Sequence, residues 1–244
     1  MASATPYHEP RPAPPHKPLA VRAAAELLGT ALFIAVVIGS GIQAGELTRD
    51  VGVQLLANSL ATVFGLGILI VLLGPVSGAH FNPAITLAAW WTARRGGDGV
   101  TTREGAVYVA SQIAGAIAGA VLANAMFAQP LVKWSTNDRS AGHVLLSEGV
   151  ATAGLILLIS GLAHSHRIRF APVAVASYVG AGFWFTASTC FANPALTVGR
   201  AFSDTFDGIE PGSVPGFIGV QVLGTVVGLA LVALFFKPAM DSGE

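Results

Sequence analysis

The stretch CFANPALTVGRAF, residues 190–202, sets an asparagine, a proline and a basic residue inside an apolar region. A proline lacks the N–H that a helix interior needs, but it suits the first helical position, and an asparagine just before it is a favoured cap. Asn193-Pro194-Ala195 therefore reads as the start of a short helix over 194–203. SGAHFNPAITLA, residues 77–88, repeats the pattern, with Asn82-Pro83-Ala84 opening a helix over 83–92. Each is about half the ~20 residues needed to cross a bilayer core ~30 Å thick.

The surroundings are those of a membrane protein. Of 244 residues, 53% are hydrophobic and 11% charged, against about 25% charged in soluble domains. Full-length apolar runs cover 22–44, 51–74, 105–127, 144–165, 171–188 and 214–236. The fold class expected is all-α: six transmembrane helices plus two re-entrant half-helices. Thirteen basic and thirteen acidic residues cancel, which gives no case for a nucleic-acid partner. A lone cysteine, Cys190, excludes an internal disulfide framework. No nucleophile–base pair, phosphate loop or metal cluster marks an enzyme, a cofactor or a metal centre. Residues 1–20, rich in proline and polar groups, read as a disordered cytoplasmic tail ahead of a single domain over 21–238. Basic residues fix the orientation. With both termini in the cytoplasm, the inner segments hold Arg11, Lys17, Arg22, Arg94, Arg95, Arg103, Arg167, Arg169 and Lys237, and the outer ones hold Arg49, Lys133 and Arg139.

The two short motifs belong to a duplication. Asn82-Pro83-Ala84-Ile85-Thr86 matches Asn193-Pro194-Ala195-Leu196-Thr197. Gln112, Gly115 and Gly119 match Gln221, Gly224 and Gly228, and a glutamate lies early in each half, Glu26 and Glu148. The halves cover about 22–127 and 144–236. A half of three spans and a half-span makes the second half enter from the opposite face, so the repeat is inverted. The half-helices then meet by their N-termini at the midplane. Irregular backbone at that depth requires burial in protein or a water-filled lumen. Each helix end carries about half a positive charge, which opposes cations and protons. The amides of Asn82 and Asn193 can donate to an oxygen passing between them.

These motifs, with AELLGT at 25–30 and the two QxxGxxxG segments, resemble the aquaporin (major intrinsic protein) family over about residues 20–238. The resemblance implies a right-handed bundle, usually a homotetramer with one pore per subunit, multi-pass in the inner (plasma) membrane. It also implies that Glu26 and Glu148 brace the re-entrant loops; His80, two residues before the first motif, reads as hydrogen-bonded within the inner loop or, alternatively, as a pH sensor in the pore. In the family an arginine usually follows the second Asn-Pro-Ala as part of an outer constriction; here Leu196 stands there. By the same matching, Cys190 and Phe183 are constriction residues. The second-helix position is Thr62 by a gap-free count, or Phe64 with a two-residue gap. Thr62 is preferred because an insertion inside a spanning helix rotates its whole face.

A Thr62, Phe183, Cys190 and Leu196 filter is apolar and lacks the usual arginine. Water loses hydrogen bonds there, at about 1–3 kcal/mol for each one unmade, while a polyol with an apolar flank fares better. Arg200, one turn beyond Leu196, reads either as a charge in the outer vestibule or as a partner of Asp204. The segment FANPALTVGRAFSDTFDGI is similar to a bacterial aquaglyceroporin subgroup linked to arsenic resistance. The function expected is a passive channel for small uncharged solutes, glycerol-like polyols or metalloid hydroxides such as arsenite, with some water. The alternatives are a water-selective channel and a secondary transporter, which would need an ion site near the break.

Overall fold

The structure is a computed structural model and describes residues 17–236. The described residues form eight α-helices: α1 (Leu19–Leu47), α2 (Val51–Ser77), α3 (Pro83–Arg94), α4 (Thr102–Met126), α5 (Gly142–His164), α6 (Ala171–Phe185), α7 (Pro194–Arg200) and α8 (Val214–Phe235). Short 3-10 turns, Ile168–Phe170 and Pro211–Ser213, precede α6 and α8. Among the described residues, six helical segments are long and apolar enough to cross a membrane, so the chain is an integral multi-pass membrane protein. The two half-helices are α3 and α7.

Local chemistry explains the boundaries. Asp50 caps α2 by accepting from the Val53 N–H at 3.0 Å, and Thr101 with Glu104 forms a capping box on α4. Helix α1 begins at Leu19, so the last two residues of the expected tail are helical; residues 1–16 of that tail lie outside the described residues. Helix α7 stops at Arg200, short of the expected 203. There the Ala201 and Phe202 carbonyls accept from the backbone N–H groups of Ser135 and Lys133, which pulls the chain into an extended pairing with the loop after α4. Helix α6 stops at Phe185, where Thr186 turns extended and its hydroxyl donates to the Gly182 carbonyl at 2.7 Å.

The repeat governs the packing. In the first half α1 packs mainly on α4 and α2; in the second, α5 packs mainly on α8. A Cβ at Gly115 or Gly119 would collide with the Leu27 or Ala31 carbonyl, and one at Gly224 or Gly228 with the Gly149 or Ala153 carbonyl. These glycines let helix backbones touch, the usual means of association where lipid is as apolar as the side chains. Outward surfaces are greasy: Leu60, Phe64, Ile68 and Val71 form an exposed stripe on α2. An even number of spans brings the starts of α1 and α4 to one side, where Arg22 pairs with Glu104; it is called the termini face below.

Candidate functional site

The α3 and α7 N-termini meet inside the bundle. In both motifs the asparagine side-chain oxygen caps its own helix, from Asn82 to the Ala84 N–H at 2.8 Å and from Asn193 to the Ala195 and Leu196 N–H groups at 3.0 and 3.1 Å. The amide nitrogens cross over. Asn82 Nδ2 donates to the Ala192 carbonyl at 2.7 Å, and Asn193 Nδ2 donates to the Phe81 carbonyl at 2.8 Å. One donor of each amide is thus spent on the opposite loop, and a second N–H remains on each.

The loops ahead of these asparagines are strained in matching ways. Ala79 and Phe81 have φ of 50° and 48°; Cys190 and Ala192 have φ of 52° and 45°. Non-glycine residues in this region are held there only by their surroundings. Buried carboxylates do the holding. Glu26 accepts from the backbone N–H groups of His80 (3.0 Å) and Phe81 (2.7 Å), from the Ser77 hydroxyl (2.6 Å) and from Gln112 Nε2 (2.8 Å). Glu148 accepts from the backbone N–H groups of Phe191 (3.2 Å) and Ala192, and from Gln221 Nε2 (2.7 Å). Each glutamine also donates to the threonine of its motif, Gln112 to Thr86 at 3.0 Å and Gln221 to Thr197 at 2.8 Å. The His80 ring sits 3.1 Å from the Thr86 hydroxyl and edge-on to Tyr108. Sequence reasoning took the glutamines only as marks of duplication. The signal that could have revealed their role was a polar residue repeated at matched positions within otherwise apolar helices.

A cavity of about 780 Å³ runs past these loops. Asp98, His164 and Arg169 line it at the termini face, both asparagines line its middle, and Arg200 lines the opposite end. Thr62, Phe183, Cys190 and Leu196 all lie on its wall and are each at most 4% exposed. Phe64, the alternative to Thr62, is 66% exposed on the outer surface and does not line the cavity. The Thr62 hydroxyl has no partner among the described residues.

Arg200 departs from the sequence reading in its partner. It lines the cavity end, is buried at 1% exposure, and pairs with Asp207 rather than Asp204, with Nη2 2.7 Å from Oδ2. Asp204 faces away, accepting the Thr136 N–H at 3.0 Å and lying 3.5 Å from Lys133 Nζ. The reason is the turn after α7, which swings residues 205–209 back over the helix, with the Ile209 N–H reaching the Arg200 carbonyl. The guanidinium lies over the Phe191 ring, 3.7 Å from its centre. Arg139, from the loop after α4, also lies over that ring at 4.9 Å and donates to the Gly208 and Ser188 carbonyls. Burial, then the nearby Arg200 charge, pulls Arg139 down to about 10, which leaves it charged at neutral pH. Asp207 and Arg139 were not foreseen; nothing in their sequence neighbourhoods marks them.

The family model for major intrinsic protein matches residues 16–202. The chain belongs to the major intrinsic protein family. It is 46% identical to the aquaglyceroporin AqpS of Rhizobium meliloti (strain 1021), over 89% of this chain and 91% of that one. It is 29% identical to the glycerol uptake facilitator protein of Bacillus subtilis (strain 168), over 88% and 83% of the two chains. The structure resembles that of the aquaglyceroporin from Plasmodium falciparum, with a TM-score of 0.59 and 21% identity, covering 92% of this chain and 98% of the other. The all-helical fold expected from the sequence is the fold of this family.

Proposed function

We propose that the chain is a passive channel for small uncharged solutes, glycerol-like polyols and metalloid hydroxides such as arsenite, with some water, and that it opposes protons and ions. The observation that carries the reading is the composition of the cavity wall near its Arg200 end. Phe183, Cys190 and Leu196 offer little to water, and Thr62 offers one hydroxyl. A solute that carries its own hydroxyls on an apolar frame loses less there than water does. The names of the relatives, an aquaglyceroporin and a glycerol uptake facilitator, support the same solute class.

Within that reading, Thr62, Phe183, Cys190 and Leu196 form the selectivity filter. The free N–H groups of Asn82 and Asn193 hand a solute across the midplane, where two helix N-termini set a positive potential against cations. Glu26, Glu148 and His80 keep the loops in shape. The chain works as a homotetramer in the inner (plasma) membrane with both termini in the cytoplasm, the arrangement that its basic residues favour.

Stopped-flow light scattering on proteoliposomes tests this, with water, glycerol and arsenite gradients run on the parent and on Leu196→Arg. Glycerol and arsenite should pass in the parent and slow about tenfold or more in the variant, the weight of a bulky charge set into a narrow apolar wall. A parent that passes water alone, with Leu196→Arg unchanged, would move the constriction elsewhere and remove the polyol assignment.

A further inference from the structure

The half-helix α3 has two faces. Ile85, Ala88, Ala89 and Thr92 line the cavity, and their spacing of i, i+3, i+4 and i+7 is one side of an α-helix. Leu87, Trp90, Trp91 and Arg94 keep the same spacing two residues further on, a rotation of about 200° that puts them on the back of α3. There α3 packs against α4 and α8. Trp90 Nε1 donates to the Thr102 hydroxyl at the start of α4 at 3.0 Å, while Trp91 stays 41% exposed. The Arg94 guanidinium lies over the Trp90 ring at 5.3 Å, and that of Arg95 over the Trp91 ring at 4.7 Å. Both arginines are exposed, and among the described residues neither has a carboxylate within ion-pair distance. Asp98, the acidic residue nearest them in sequence, lines the cavity instead. Depth follows from length. Helix α3 has 12 residues and so runs about 18 Å from the meeting point of the half-helices, against about 15 Å for half a bilayer core. The indoles thus sit just inside the boundary of the core, and the arginines at the level of the headgroups.

We propose that the back of α3 is a binding site for an anionic phospholipid, with Arg94 and Arg95 taking the phosphate headgroup and Trp90 and Trp91 serving as their platform. A guanidinium that rests its face on an indole keeps its edge N–H groups for a phosphate, which it can meet with two parallel hydrogen bonds. Indole rings favour the membrane–water boundary, and arginines at that depth draw anionic lipid. Arg22 on the same side differs, because Glu104 already pairs with it. The placement follows from the spans and the half-helix, and it does not depend on which solute passes.

Native mass spectrometry of the full chain in detergent tests the site. An equal mixture of phosphatidylglycerol and phosphatidylcholine with matched acyl chains is added, and the ratio of the two lipids bound is read. The parent should favour phosphatidylglycerol. That preference should fall about fivefold in Arg95→Gln and further in the Arg94→Gln/Arg95→Gln double variant, the weight of one surface arginine at each step. Trp91→Leu keeps every charge but removes a platform, and should lower the preference about two- to fivefold. Arg167→Gln takes one charge from the loop between α5 and α6 and should leave it unchanged. An equal fall in Arg167→Gln and Arg95→Gln would make the preference a property of the whole basic face and would overturn the site. A parent with no preference, or a parent-like ratio in Trp91→Leu, would overturn it too. If the double variant does not purify folded, Trp91→Leu and Arg95→Gln decide by the same criteria. Glycerol phosphate added at the concentration of the lipids should not displace phosphatidylglycerol; displacement would mean a site for free phosphate and would refute the lipid assignment. Bound lipid is counted without any flux, so failure of the polyol reading leaves this result standing.

Discussion

Replacing Glu148 with alanine removes the acceptor for three buried donors: the Phe191 and Ala192 backbone N–H groups and Gln221 Nε2. Each donor left unpaired is destabilising by about 1–3 kcal/mol, so the gross loss is about 3–9 kcal/mol. Removing the carboxylate also relieves its own burial, which offsets several kcal/mol. A net loss near the lower end, roughly 3 kcal/mol, would lower the melting temperature by about 6–12 °C for a chain of this size. Thermal unfolding in detergent, followed by tryptophan fluorescence, reads this directly. Glu148→Gln keeps one acceptor oxygen and should fall between parent and alanine. Glu26→Ala deprives four donors rather than three and should fall further than Glu148→Ala. If Glu148→Ala melts within about 2 °C of the parent, the second loop is not held by this carboxylate and the reasoning fails.

Other substitutions probe separate contacts. Gly119→Val drives a side chain into the Ala31 carbonyl and should destabilise the α1–α4 pair by about 1–3 kcal/mol or more, seen as a lower melting temperature. Tyr108→Phe removes the bond to the Ser77 carbonyl at 2.7 Å; a loss of about 0.5–1.5 kcal/mol in thermal unfolding is expected, with solute flux near that of the parent. Asp204 has its acidity strengthened first by the Thr136 N–H and then by the Thr136 hydroxyl and Lys133. Its folded value lies below its unfolded value, so its contribution is complete above about pH 4 and fades as pH falls through the folded value. The melting difference between the parent and Asp204→Asn should accordingly be constant from pH 7 to 5 and shrink below pH 4; a constant difference down to pH 3 would rule this out.

The sequence carried the fold because membrane spans leave a strong, local signal. Twenty apolar residues state their own length, and the doubled Asn-Pro-Ala states both a helix start and a duplication. Helix ends were less visible where tertiary contacts set them, as at Arg200, whose following carbonyls are taken by a distant loop. The cavity-wall residues near that end came from matching to the family pattern, with Thr62 chosen over Phe64 by a gap-free count along its helix, since a rigid helix fixes which face each residue takes. The Phe64 alternative was removed by its exposure on the lipid side. The partner of Arg200 was the misjudgement. Helical spacing pointed to Asp204, one turn on, but α7 ends at Arg200, so helical spacing no longer applied beyond it.

The crossed asparagine bonds bear on how the chain is made. Residue 82 leaves the ribosome long before residues 192 and 193, yet its amide has its acceptor only in Ala192, and the Phe81 carbonyl has its donor only in Asn193. Until the second loop docks, these two groups lack the protein partners they have in the folded chain. Docking of the second loop supplies both of these partners. A chain lacking the second half would leave the Asn82 amide and the Phe81 carbonyl without these partners.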